Sequence, residues 1–155
     1  MIDLEVPAGA LILVGDGRKA LFLRNKGAPT HVELTVERVL EHPDPPTREQ
    51  GTDRPGRYHG SDGVSKSAFE ENDWHQLGEE RFAAAVADAL NRLAHADRFQ
   101  HLILVAPPKV LGTVRTQLDK QAAGRVVAEV PKDLTSQPTA EIARTLASYR
   151  HVANS

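Results

Sequence analysis

Apolar and polar positions follow two rhythms along the chain. Ala8 to Gly17, AGALILVGDG, holds an unbroken apolar run, the pattern of a strand buried on both faces. Asp16-Gly17 then gives a tight-turn signal, and KALFLRN, Lys19 to Asn25, predicts a second strand that closes a hairpin. In HVELTVERVLEH, His31 to His42, Val32, Leu34 and Val36 alternate with polar residues, and Val39 follows with one slip. Period two predicts a half-exposed third strand. FQHLILVAPP, Phe99 to Pro108, reads as a buried fourth strand stopped by two prolines, and GRVVAEV, Gly124 to Val130, as a fifth.

The other rhythm is helical. Phe82, Val86, Leu90 and Leu93 form a stripe on a helix whose start is placed at Asp73-Trp74-His75-Gln76. Asp followed three residues later by Gln resembles a capping box, which puts Glu79 and Glu80 near the positive end of the helix dipole. This helix is expected to run to about Ala96. KVLGTVRTQLDKQA predicts a second helix with Val110, Val114 and Leu118 on one face, and TAEIARTLASYR, after Pro138, a last one.

The order is β-β-β, a long loop over 43–67, then α-β-α-β-α. It predicts a single α/β domain over residues 1–150, with a five-stranded mixed sheet and flanking helices. Alternating strands and helices imply parallel pairing with right-handed crossovers. By analogy with ribonuclease-H-like folds the strand order is 3-2-1-4-5, with the second strand antiparallel. Residues 151–155 are expected to be a frayed tail. Val36, Val39 and Leu40 on the third strand offer an edge for a homodimer.

Composition narrows the function. A net charge of −2 over 155 residues gives no global field to gather nucleic acid, so any polyanion contact needs a local basic patch. The absence of cysteine excludes disulfides, thiol chemistry and Cys-based zinc sites. The N-terminus has acids where a signal peptide needs positive charge, and its apolar run is too short to span a bilayer. The expected location is cytoplasmic, with no membrane partner.

The loop is where the chemistry concentrates. Its stretch PPTREQGTDRPGRYHGSDG, Pro45 to Gly63, is rich in proline and glycine. Long loops without their own structure tend to be functional or disordered. Arg48, Arg54 and Arg57 supply planar donors suited to phosphate. Gly51 and Gly56 let the backbone approach another surface, and Gln50 and Thr52 add neutral hydrogen bonding. Glu49 and Asp53 sit among the arginines, so a self-paired, solvated loop is the plain alternative to an RNA- or partner-binding one. Trp74 and His75 border the loop and complete the candidate set, either as stacking and contact groups or as packing at the helix start.

Other constellations are thin. Asp16 ends the first strand, where a ribonuclease-H-like nuclease keeps a metal carboxylate, but the fourth strand ends in LVAPP with no acid to join it. The turn role of Asp16 is preferred. No histidine pair has metal-ligand spacing, no nucleophile motif occurs, and Gly15-Asp16-Gly17 lacks the third glycine of a dinucleotide site. No cofactor or metal is implied. Lys109 opens a helix whose backbone N–H groups can hold an anion, but an ordinary exposed lysine is the preferred reading.

The phrases LVGDGRKALFLRN, PPTREQGTDRPGR, DWHQLGEERFA, LILVAPPKVLG and VPKDLT resemble the bacterial host attachment protein family, named for a role in attachment to host cells. That family is similar to the middle domain of archaeal and eukaryotic class-one peptide chain release factors. The resemblance implies an α/β domain with a functional loop between the third strand and the long helix. In release factors that loop carries Gly-Gly-Gln and reaches the peptidyl-transferase centre. Here Gly-Gly-Gln is absent, the nearest phrase being Glu49-Gln50-Gly51, so no catalytic residue is carried over. The expected role is an RNA- or ribosome-associated module, with ribosome, tRNA or other RNA as partner. The alternatives are a regulatory protein required for host attachment, and a hydrolase of peptidyl-tRNA or RNA.

Overall fold

The two unbroken apolar runs become the two central strands. A computed structural model describes residues 2–41 and 67–151, with side chains for 3–41 and 78–150. The strands are β1 (Ile2–Asp3), β2 (Leu11–Gly15), β3 (Lys19–Asn25), β4 (Leu34–Glu41), β5 (Leu102–Val105), β6 (Val126–Val130) and β7 (Arg150–His151). The helices are α1 (Ser67–His95), α2 (Pro108–Gln117), α3 (Lys120–Ala123) and α4 (Thr139–Ala147). Five strands make one sheet in the order β4-β3-β2-β5-β6, which is the expected 3-2-1-4-5 counted from β2. β2, β5 and β6 are parallel, and β3 runs against both its neighbours.

Alternation divides the core into two layers. Leu11, Leu13, Phe22, Leu102 and Leu104 face α1, α2 and α3, where Phe82, Val86, Leu90, Leu111 and Val114 meet them. Ile12, Val14, Leu21, Leu23, Ile103 and Val105 face the other way, onto Ile142 and Leu146 of α4 and onto Leu4 and Val6. Every residue of β2 and β5 is buried, as a strand covered on both faces requires.

The slip in the third strand is a β-bulge. Phe22 pairs with Arg38 and Leu23 with Val36, leaving Glu37 unmatched. One extra residue reverses which face each later side chain takes. Leu34 accordingly packs in the α4-side core, whereas Leu40, an even number of residues on, packs on the α1 side. This corrects the expected edge trio: Val36 and Val39 are 48% and 45% exposed, and Leu40 has left their face.

Three helix boundaries differ from expectation. α1 starts at Ser67, not Asp73. No proline or glycine interrupts 64–77, and Ala68, Glu70 and Glu71 are good helix formers, so the helix propagates past the local Asp73/Gln76 signal. Glu79 and Glu80 therefore lie well inside the helix, away from its positive end. The predicted second helix is two. Leu118 is extended, and the Asp119 side chain accepts from the Ala122 N–H to cap α3. α4 stops at Ala147, and Arg150–His151 pairs antiparallel with β1, so His151 belongs to a strand and not to the tail.

Two polar devices tie these pieces together. Asn25 is 1% exposed. Its Nδ2 donates to the carbonyls of Val6 (3.0 Å) and Pro7 (3.2 Å), and its Oδ1 accepts from the N–H groups of Gly27 (2.9 Å) and Glu33 (3.0 Å). One side chain thus joins the N-terminal segment to the β3–β4 connection. That connection needs Gly27, because a side chain there would overlap the His31 carbonyl. At the far end of α1, Gln121 and Arg125 donate to the Ala94 carbonyl, which lies in the last turn of the helix. Asp97, in left-handed backbone at φ 56, closes the helix with Asp97 N–H on Ala94 O and Arg98 N–H on Leu93 O.

Asn25→Ala leaves the buried Val6 carbonyl and the Gly27 and Glu33 N–H groups without this partner, while the Pro7 carbonyl keeps the Ala10 N–H, and is expected to cost about 2–4 kcal/mol in urea denaturation. Asn25→Asp keeps the acceptor but not the donor and should fall between. The Asp119 carboxyl is held below its usual 3.8 by the Ala122 N–H first and by His95 second. A depressed carboxyl contributes stability above its unfolded value that is lost as pH falls through the folded one. Asp119→Ala should therefore melt lower than wild type at neutral pH, and the two should converge below pH 3.8.

Candidate functional site

Four strands end at one edge of the sheet. β2, β5 and β6 are parallel, and β4, antiparallel to β3, runs with them. Their C-terminal ends bring together the Asp16-Gly17 turn, the start of α2 after Ala106-Pro107, the segment 131–135, and the exit from β4 at Glu41. In open α/β sheets this is the edge where ligands bind.

Asp16 is taken up in structure. Its Oδ1 accepts from the N–H groups of Arg18 (2.7 Å) and Lys19 (2.8 Å), which fixes the hairpin turn. Its Oδ2 lies 3.0 Å from the buried Thr135 hydroxyl, which also lies 2.8 Å from Asp133 Oδ1. The chain after β6 is thereby tied to the β2–β3 turn. Among the described residues no group of three or more His, Asp or Glu could hold a metal ion.

α1 and α2 lie side by side and parallel. Near this edge Glu79, Glu80 and Ala83 line a shallow depression with Lys109, Val110 and Thr113. At the other end Asn91 bonds the Gln117 carbonyl (3.2 Å) and the Asp119 N–H (2.9 Å), and His95 Nε2 lies 2.6 Å from Asp119 Oδ2. Glu79 rests on the hairpin turn: a Cβ on Gly17 would come within 2.9 Å of Glu79 Cδ, so a side chain there would displace it. α2 begins at the edge, but α1 begins twelve residues before Glu79. At 1.5 Å per residue, about 18 Å of helix lies on the N-terminal side of that contact.

The described part of the edge is close to electrically neutral. Arg18, Lys19, Lys109 and Lys132 stand among Asp16, Glu41, Glu79, Glu80 and Asp133. Lys132 lies over the Tyr149 ring at 5.8 Å. Lys109 is the second residue of α2 and is exposed. Such a balance gathers no polyanion by itself.

Of the expected site residues, Arg48, Glu49, Gln50, Gly51, Thr52, Asp53, Arg54, Gly56 and Arg57 lie outside the described residues. Trp74 and His75 fall seven and eight residues into α1 rather than at its start. The structure does add Thr135 and Asp133 to this edge. Asp16, the partner of Thr135, is 119 residues from it, and no local pattern signals that contact.

Residues 9–146 match the family described as bacterial archaeo-eukaryotic release factor family 12. The chain belongs to that family. The host-attachment name expected from the sequence phrases finds no support in this match, whereas the release-factor likeness does. No curated protein matches the family 12 chain in sequence at a significant level. Among solved structures it is similar to the archaeal translation termination factor aRF1, with 16% identity and a TM-score of 0.45 over 77% of this chain and 29% of that one. It is also similar to S. cerevisiae Dom34, described as a translation termination-like factor involved in RNA quality control pathways. There the identity is 11% and the TM-score 0.41, over 93% of this chain and 37% of that one. The family 12 chain thus spans about a third of the length of each. No helix among the described residues is long and apolar enough to cross a membrane.

Asp16→Ala removes the turn acceptor and the Thr135 contact, and should lower stability by about 1–2 kcal/mol in urea denaturation. Asp16→Asn keeps Oδ1 and should recover most of it. An Asp16→Ala protein as stable as wild type would rule out the turn role.

Proposed function

We propose that this family 12 protein is a cytoplasmic, translation-associated module that contacts the ribosome or a structured RNA through residues 43–67. The observation that carries the reading is where that segment is attached. It joins β4 to α1 at the edge where four strands end, in a chain of a release-factor family. The neutral described edge supports the same choice, because phosphate contact then has to come from the arginines of the segment. Arg48, Arg54 and Arg57 position phosphates, Gly51 and Gly56 allow close backbone approach, and Glu49, Gln50, Thr52 and Asp53 supply further polar contacts. Trp74 and His75, in the α1 turns next to the segment, are the groups for base stacking. With no Gly-Gly-Gln in the sequence, binding without peptidyl-tRNA cleavage is the activity proposed.

Sedimentation of lysate through sucrose tests this. Wild type should travel with ribosomal particles, and the Arg48→Ala/Arg54→Ala/Arg57→Ala protein should stay at the top with an unchanged melting curve. Against structured RNA, losing three phosphate contacts should reduce the slope of log affinity on log salt by about 2–3. Wild type remaining at the top, with no RNA affinity at moderate salt, would overturn the proposal.

A further inference from the structure

The outer edge of β4 carries a self-complementary sequence. β4 is the last strand of the sheet, with no neighbour on its outer side among the described residues. Val36 and Val39 stand opposite Leu23 and Leu21, both in the α4-side core, so the two exposed valines share that face. Glu37 and Arg38 share the other. Glu37 accepts from Arg24 Nε (3.1 Å) and Nη2 (3.0 Å), and Arg38 lies 5.9 Å over the Phe22 ring; Arg24 and Phe22 are alternate residues of β3 on the α1 side.

We propose that β4 pairs antiparallel with β4 of a second copy, about a twofold axis between Glu37 and Arg38. Residues directly opposite in an antiparallel pair share a face. In a regular strand neighbours take opposite faces, so an axis midway between two residues would set unlike faces against each other. The bulge removes that conflict by turning Glu37 and Arg38 to one side and Val36 and Val39 to the other. Val36 then meets the partner's Val39, Glu37 meets the partner's Arg38, and Thr35 meets the partner's Leu40. Each contact occurs twice. Moving the register by one residue either way sets Glu37 against the partner's Glu37, or Arg38 against the partner's Arg38, and opposed like charges are unfavourable. A carboxylate that already accepts from Arg24 has lone pairs left for a second guanidinium. The opposite edge has no such pattern: β6 exposes Val127 alone, and its Glu129 is bound to Arg115 within the chain.

Analytical ultracentrifugation over a concentration series, with melting curves as the folding control, tests this on the full chain. Wild type should reach twice the monomer mass, and Val36→Lys/Val39→Lys should remain monomeric. Arg38→Glu alone opposes two acids across the axis, and Glu37→Lys alone opposes two bases; each should weaken the dimer about tenfold or more. Mixing these two single variants sets acids against bases at both positions and should restore the dimer. A wild type that stays monomeric throughout overturns the proposal, as does a dimer indifferent to the valine and charge changes. Two monomeric single variants that fail to recombine overturn the register.

Discussion

Covering both faces of β2 and β5 is the constraint on which the molecule depends. Neither strand has a polar side, so each needs a layer above and below. Leu11, Leu13, Leu102 and Leu104 draw α1 and α2 onto one face, and Ile12, Val14, Ile103 and Val105 draw α4, Leu4 and Val6 onto the other. Parallel pairing then needs crossovers, and α1 and α2, which cover the first face, are those crossovers, whereas α4 covers the second face after the last strand of the sheet. The antiparallel hairpin β3–β4 extends the sheet without a helix of its own. The same arrangement collects the C-terminal ends of four strands at one edge, where the chain leaves β4 at Glu41.

Polar contacts decide how the layers are joined rather than whether they form. Asn25 binds the N-terminal segment to the β3–β4 connection with all four of its contacts made inside the protein. Thr135 joins the chain after β6 to the Asp16 turn. At the end of α1, Asp97 is paired with Arg125, which also bonds the carbonyls of Ala94 and Phe99. These groups lie at chain crossings, where apolar packing leaves backbone atoms unpaired.

Much of this was legible in the sequence because burial writes a period into it. The apolar runs at Leu11–Gly15 and Leu102–Val105 predicted the central strands, and the one irregular step before Val39 was the bulge in plain view. What failed to show was non-local or too local. The Asp73/Gln76 pair imitates a cap because capping is read over four residues, whereas helix length is decided by the surrounding chain. Asp119 hid a real cap inside an amphipathic stretch, and β1 and β7 are two residues each, too short for any period. Asn25 looks like the end of a strand until its partners at Val6 and Glu33 are known. The candidate loop stood out by composition, since prolines, glycines and arginines together need no period to be noticed.

α1 is held at its C-terminal end and begins twelve residues before Glu79 at the other. Gln121 and Arg125 grip Ala94, Asn91 grips the α2–α3 junction, and Glu79 is the last described side chain of α1 seen against the sheet. Mechanically this is a lever with its fulcrum at the Gly17 turn. With an outer arm of about 18 Å, a tilt of about 10° carries Ser67 through about 3 Å. The same tilt shears the α1–α2 seam, at whose far end His95 meets Asp119.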